Sequence, residues 1–110
     1  MILHICKKSA WDQARNAKEY RGDTLESEGF IHCSTLEQVV EVADNLFKGV
    51  QDLLLLVIDE GKVVSAIKFE DSGDGNLYPH IYGPLTLDAI TKTVDFPPDL
   101  NGNFILPDFK

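Results

Sequence analysis

Cysteine, tryptophan and methionine are scarce in this chain of 110 residues, which contains two, one and one of them. Cys6 and Cys33 are too few for a disulfide framework, and each sits in an apolar run where a free thiol behaves as a small hydrophobe. Long hydrophobic runs are missing too. The longest, Leu53 to Ile58, is far too short to span a bilayer. The opening Met-Ile-Leu-His-Ile-Cys-Lys-Lys lacks a basic stretch followed by a long apolar one, so no signal peptide is expected. Together these absences predict a reducing, cytoplasmic setting with no membrane partner.

Positive charge is also in short supply. Lys and Arg number 10 against 18 Asp and Glu, a net charge of −8, which repels a phosphate backbone and disfavours general nucleic-acid binding. Lys7, Lys8, Arg15, Lys18 and Arg21 are clustered near the start. They read as a solvated helix face or as a small anion-binding patch. With 44% hydrophobic and 25% charged residues the composition is that of a globular protein. The length suits a single domain over residues 1–110, and the sequence leaves its oligomeric state open.

Along the chain, Ile2 to Cys6 reads as a first strand. Ser9 offers a cap to a helix of about Ala10 to Lys18, in which Ala10, Trp11, Ala14 and Ala17 recur at helical spacing. Gly29 to Ser34 reads as a strand entered through a glycine. Thr35 and Gln38 then form a Thr-x-x-Gln capping pattern ahead of the apolar stripe Leu36, Val39, Val40, Ala43, Leu46 and Phe47, closed by Gly49. Leu53 to Ile58 is apolar on both faces, as a buried central strand requires. Asp59 to Lys62 is a turn, and Val63 to Glu70 reads as the return strand of a hairpin. Asp71 to Asn76 is a polar loop. Leu77 to Tyr82 is another strand, and Leu87 to Val94 fits a short helix or a strand, with Ile90, Thr91, Thr93 and Val94 favouring strand. A last extended stretch is expected near Phe104 to Leu106. Two helices in the first half and a majority of strands predict an α+β fold with helices on a mixed or antiparallel sheet.

All three histidines, His4, His32 and His80, fall in predicted strands, where a polar side chain needs a partner or a cavity. Alternation places His32 with Phe30 and Ser34, His80 with Tyr78 and Tyr82, and His4 with Ile2 and Cys6. For His4 the simplest reading is an imidazole satisfied by backbone. His32 and His80 are framed by the hydroxyls of Ser34, Thr35, Tyr78 and Tyr82, the mixture with which a ligand pocket orients a substrate. Glu70 is the candidate carboxylate for the same pocket, against a plainer role as a surface partner of Lys68. No Cys-x-x-Cys or His-x-x-x-His spacing occurs, so no metal site is expected. The Asp71 to Asn76 loop lacks a calcium loop's ligand order. No phosphate-loop or dinucleotide glycine motif is present, and Ser34 lacks a nucleophile elbow.

Two stretches, Gly29-Phe30-Ile31-His32-Cys33-Ser34-Thr35 with Gln38, and Tyr78-Pro79-His80-Ile81-Tyr82-Gly83-Pro84-Leu85, resemble the signatures of a small family known as domain-of-unknown-function family 952. The resemblance spans nearly the whole chain. It implies kinship with the ADP-ribosyltransferase-like superfamily, a split-sheet α+β fold that holds NAD in a cleft. It further implies that His4 stands where a first-strand residue contacts the nucleotide, that His32, Ser34 and Thr35 belong to the second motif, and that Glu70 is the only carboxylate placed to drive transfer. RNA 2′-phosphotransferases share the superfamily. The resulting expectation is a nucleotide-binding, transferase-like domain with NAD as a candidate ligand. Glu70, His32 and His80 form its catalytic set, and His4, Ser34, Thr35, Gln38, Tyr78 and Tyr82 bind the ligand. The competing expectation is a non-catalytic module that binds a small ligand or peptide on the same fold.

Overall fold

The computed structural model describes residues 1–71 and 73–109, so Ser72 of the expected polar loop lies outside the described residues. In chain order the elements are β1 (Ile2–Lys7), α1 (Lys8–Ala17), β2 (Glu19–Tyr20), α2 (Leu25–Glu28), β3 (Ile31–His32), α3 (Val39–Leu46), β4 (Leu53–Ile58), β5 (Ile67–Asp71), β6 (Leu77–Ile81), β7 (Leu85–Thr86) and β8 (Ile90–Asp95). Single 3-10 turns cover Glu60–Lys62 and Leu87–Ala89. The class is α+β, and every strand pairing is antiparallel.

The strand β4 explains the layering. Its six residues are all buried, with Leu54, Leu56 and Ile58 packed into one core and Leu53, Leu55 and Val57 into another. A strand that is apolar on both sides needs cover on both sides. One side receives Ile31, Ile81, Tyr20, Leu85 and Ala14, from β3, β6, β2, β7 and α1. The other receives Val39 and Ala43 of α3 with Phe96 and Phe104 of the C-terminal segment. Both edges of β4 are occupied as well, giving the order β1-β4-β8.

That arrangement corrects the expected hairpin. Val63 to Glu70 is not the return strand of β4, because β1 and β8 already take both of its hydrogen-bonding edges. The extended stretch begins only at Ile67 and pairs with β6, in a separate sheet ordered β3-β6-β5. The hairpin is therefore formed by β5 and β6. A third, two-stranded sheet pairs β2 with β7. The β3-β6-β5 sheet joins the central one through reciprocal backbone bonds between Leu3 and Ser34, of 2.8 and 2.7 Å.

Smaller corrections concern the helices. There are three α-helices among the described residues where two were expected, the extra one being the single turn α2. α1 starts at Lys8 directly from β1, with no side-chain cap, so Ser9 lies inside it. α3 is shorter than the apolar stripe, but half of the expected capping box is present: the Gln38 carboxamide accepts from the Thr35 backbone N–H at 3.0 Å.

The central strand sets the stability. Leu55 is wholly buried, and Leu55→Ala should cost about 2–5 kcal/mol in urea unfolding. Val64 is 83% exposed, and Val64→Ala should stay within about 0.5 kcal/mol of the parent.

Candidate functional site

The β3-β6-β5 sheet has one apolar and one polar face. Ile31, Ile81 and Ile67 enter the core, so their alternating neighbours His32, His80 and Lys68 project from the opposite face. The register sets these three in one row, with His80 opposite His32 on one side and Lys68 on the other. Glu70 lies opposite Tyr78 in the next row. The carrier of this arrangement is Pro79. Without an N–H, proline disturbs a central strand, yet its carbonyl still accepts from Cys33 at 3.0 Å, so β6 remains between its two neighbours.

His80 is the hub. Its Nδ1 lies 3.0 Å from Glu70 Oε1, and the Tyr82 hydroxyl donates to the same oxygen. These two donors, Tyr82 first and His80 second, hold the Glu70 carboxyl below its usual range. With the carboxylate ionised, Nδ1 carries the proton and donates, and Nε2 of a neutral ring holds the lone pair. That Nε2 is buried and has no partner among the described residues. The side chain is only 5% exposed, whereas Glu70 is 39% exposed. The Phe30 ring covers it, stacked at a centroid distance of 4.1 Å and an interplanar angle of 15°.

His32 forms a second imidazole–carboxylate pair. Its Nε2 lies 3.2 Å from each oxygen of Glu28, both side chains being about half exposed. The His32 and His80 rings meet edge to face, 5.2 Å apart. Lys68 Nζ sits 4.9 Å from the Tyr82 ring centroid, a cation–π contact beside Glu70. The result is two carboxylates, two imidazoles, a phenol and an ammonium around one phenylalanine ring.

Of the expected catalytic set, Glu70, His32 and His80 converge here, and Tyr82 joins them. The remaining residues are engaged elsewhere. His4 is buried, its Nδ1 bonded to the His32 carbonyl and its Nε2 to the Tyr20 hydroxyl at 2.7 Å, so neither ring nitrogen is left for a nucleotide. Burial lowers its pKa from the ordinary 6.5. Ser34 is buried where β1 bridges to the chain beyond β3. Thr35 takes part through its backbone, and Gln38 donates to the Leu77 carbonyl at 2.7 Å, tying the entry of α3 to β6. Tyr78 turns to the loop and donates to Asp74 at 2.7 Å. Burial pushes the Cys6 thiol up to about 11 and raises that of Cys33 as well, which disfavours the reactive thiolate at both.

Sequence reasoning set Phe30 on the face of His32 and Lys68 beside Glu70 but gave neither a place in the site, and it missed Glu28 altogether. Phe30 was visible by alternation with His32. Glu28 was not, because it reaches His32 only through the left-handed turn at Gly29, φ +88°, which reverses the chain between α2 and β3. Among the described residues no three His, Cys, Asp or Glu side chains are grouped to hold a metal ion.

An antiparallel α+β domain with paired Glu–His contacts on a sheet face is the class that fold and site define. The chain belongs to the family described as protein of unknown function (DUF952), whose model matches residues 5–93. Among solved structures it is similar to the Caulobacter crescentus protein CC0527. The crystal structure of that structural-genomics target has a TM-score of 0.87 at 32% identity, over 96% of this chain and 93% of that one. Its solution NMR structure has a TM-score of 0.78 at 32% identity, over 93% and 89% of the two chains. No curated protein matches. No helix among the described residues is long and apolar enough to cross a membrane.

Two titrations follow from this geometry. Tyr82→Phe removes the leading donor to Glu70, and the carboxyl should titrate at higher pH, as followed by carboxyl-carbon NMR. His4 has its folded pKa below its unfolded one. Its contribution to stability is complete above pH 6.5 and is lost as pH falls from there towards the depressed folded value. His4→Asn should flatten that part of the stability–pH curve in urea titrations.

Proposed function

We propose that this domain is a nucleotide-binding enzyme of the transferase type, with NAD or ADP-ribose held over the polar face of the β3-β6-β5 sheet. One observation carries the reading. Glu70 is an accessible carboxylate, held ionised by two donors on the same oxygen, Oε1, which leaves Oε2 for a ligand. Such a group suits a reaction that develops positive charge. When the bond between the ribose C1′ and nicotinamide breaks, the sugar becomes oxocarbenium-like, and a fixed carboxylate stabilises it until an acceptor adds. His32, half exposed beside His80, and Lys68 over the Tyr82 ring supply donors for phosphate oxygens. The buried free thiols Cys6 and Cys33 suit a reducing cytoplasm. The kinship with ADP-ribosyltransferases is part of this proposal and rests on the site and the sequence motifs.

A second reading is favoured by His80 itself. Stacked under Phe30 and only 5% exposed, its imidazole is screened from solvent, which suits a non-catalytic module that binds through the more exposed His32 and Glu70.

Calorimetric and thermal-shift titrations with NAD, ADP-ribose and 2′-phosphorylated RNA test the proposal. Binding of one of them, turnover reduced about a hundredfold or more by Glu70→Gln with binding retained, and binding lost in His32→Ala are the expected results. Binding without turnover in the parent protein supports the module. No binding by any of the three, in folded protein, ends the nucleotide reading.

A further inference from the structure

The strand β5 ends the β3-β6-β5 sheet, with β6 as its one strand partner among the described residues. Tyr82 N donates to the Ala66 carbonyl at 2.9 Å, which makes Ala66 and Tyr82 a hydrogen-bonded pair. In an antiparallel ladder such pairs alternate, so Lys68 with His80 and Glu70 with Tyr78 also bond inward. The same alternation places Pro79, which has no N–H to give, opposite Phe69 in a non-bonded pair. The N–H and C=O groups of Ile67, Phe69 and Asp71 therefore point away from the sheet, along an open edge. Lys68 and Phe69 on this edge are exposed, Phe69 by 49%.

An open edge recruits another strand unless its side chains forbid it. Here they select one arrangement. In antiparallel pairing of β5 with itself about a two-fold axis at Phe69, the two phenylalanines form a hydrogen-bonded pair. Lys68 of each copy then falls opposite Glu70 of the other, at the close, non-bonded spacing where opposite charges attract most. Parallel in-register pairing would instead stack Lys68 near Lys68 and Glu70 near Glu70. We propose that β5 is a homodimerisation edge, joining a second copy of this chain through antiparallel β5–β5 pairing centred on Phe69. The axis runs through the sheet, so the two polar faces lie on the same side of one continuous six-stranded sheet. Each Glu70, already bonded to His80 and Tyr82, gains the ammonium of the second copy's Lys68 as a neighbour across the axis. The interface is isologous and closes on itself, which limits assembly to two copies.

This inference stands on the edge and its charges, independently of any nucleotide, and its readout is oligomeric state. Sedimentation velocity from low micromolar to near-millimolar protein should show a concentration-dependent dimer. Lys68→Glu sets like charges opposite each other twice per dimer and should weaken association about tenfold or more. The double exchange Lys68→Glu with Glu70→Lys restores opposite charges in the same register and should recover the dimer. Phe69→Asp puts two carboxylates at the axis and should give a monomer with an unchanged circular-dichroism spectrum. Amide exchange at Ile67, Phe69 and Asp71 should slow as concentration rises. A parent protein that stays monomeric throughout overturns the proposal. So does a dimer indifferent to both Lys68→Glu and Phe69→Asp, and failure of the folded double exchange to recover the dimer overturns this register.

Discussion

Everything in this domain is arranged around a strand that has no polar side. Leu53 to Ile58 presents six apolar side chains alternately to two cores, so both faces need cover and both edges need partners. β1 and β8 take the edges, α3 and the C-terminal segment cover one face, and the β3-β6-β5 sheet with α1 and β2 covers the other. The candidate site is a consequence of that cover. A sheet that gives Ile31, Ile67 and Ile81 to the core turns the alternating side chains to its other face, among them both imidazoles, Lys68 and Glu70.

The electrostatics of that outer face are local. The chain carries a net charge of −8, yet the cluster alternates carboxylate, imidazole, imidazole and carboxylate from Glu28 through His32 and His80 to Glu70. Each carboxylate has an imidazole nitrogen within hydrogen-bond distance, and the Lys68 ammonium lies over the Tyr82 ring close by. Phe30 sets the balance. Its ring stacks on His80 and approaches His32 at 4.8 Å and Tyr82 at 5.3 Å, so one apolar side chain excludes water from part of a polar group of residues. Among the described residues His80 Nε2 is buried without a hydrogen-bond partner, and an imidazole nitrogen kept from solvent in this way is costly.

His4 shows how a histidine in the first strand can belong to the architecture. It joins β1 to the backbone of His32 and to Tyr20 of β2, tying three elements beneath the site. A substitution there would reach the site through the position of β3. Gln38 has a comparable part, holding the start of α3 to the Thr35 backbone and to β6.

The class of fold, the double-faced strand at Leu53, the α1 and α3 segments and the choice of His32 and His80 as candidate groups were all legible before any coordinates. Periodicity reports burial, and alternation along a strand reports which side chains share a face. The same alternation that united His32 with Phe30 could not say which strand lies beside which. Choosing β6 over β4 as the partner of β5 depends on competition for two hydrogen-bonding edges, a property of the assembled sheet that no local window contains. The reach of Glu28 to His32 and the turning of Tyr78 away to Asp74 likewise depend on a glycine turn and a loop. The residues by themselves determined which groups could do chemistry; only the tertiary structure decided which of them meet, because meeting is set by strand order and turn geometry across long separations in the chain.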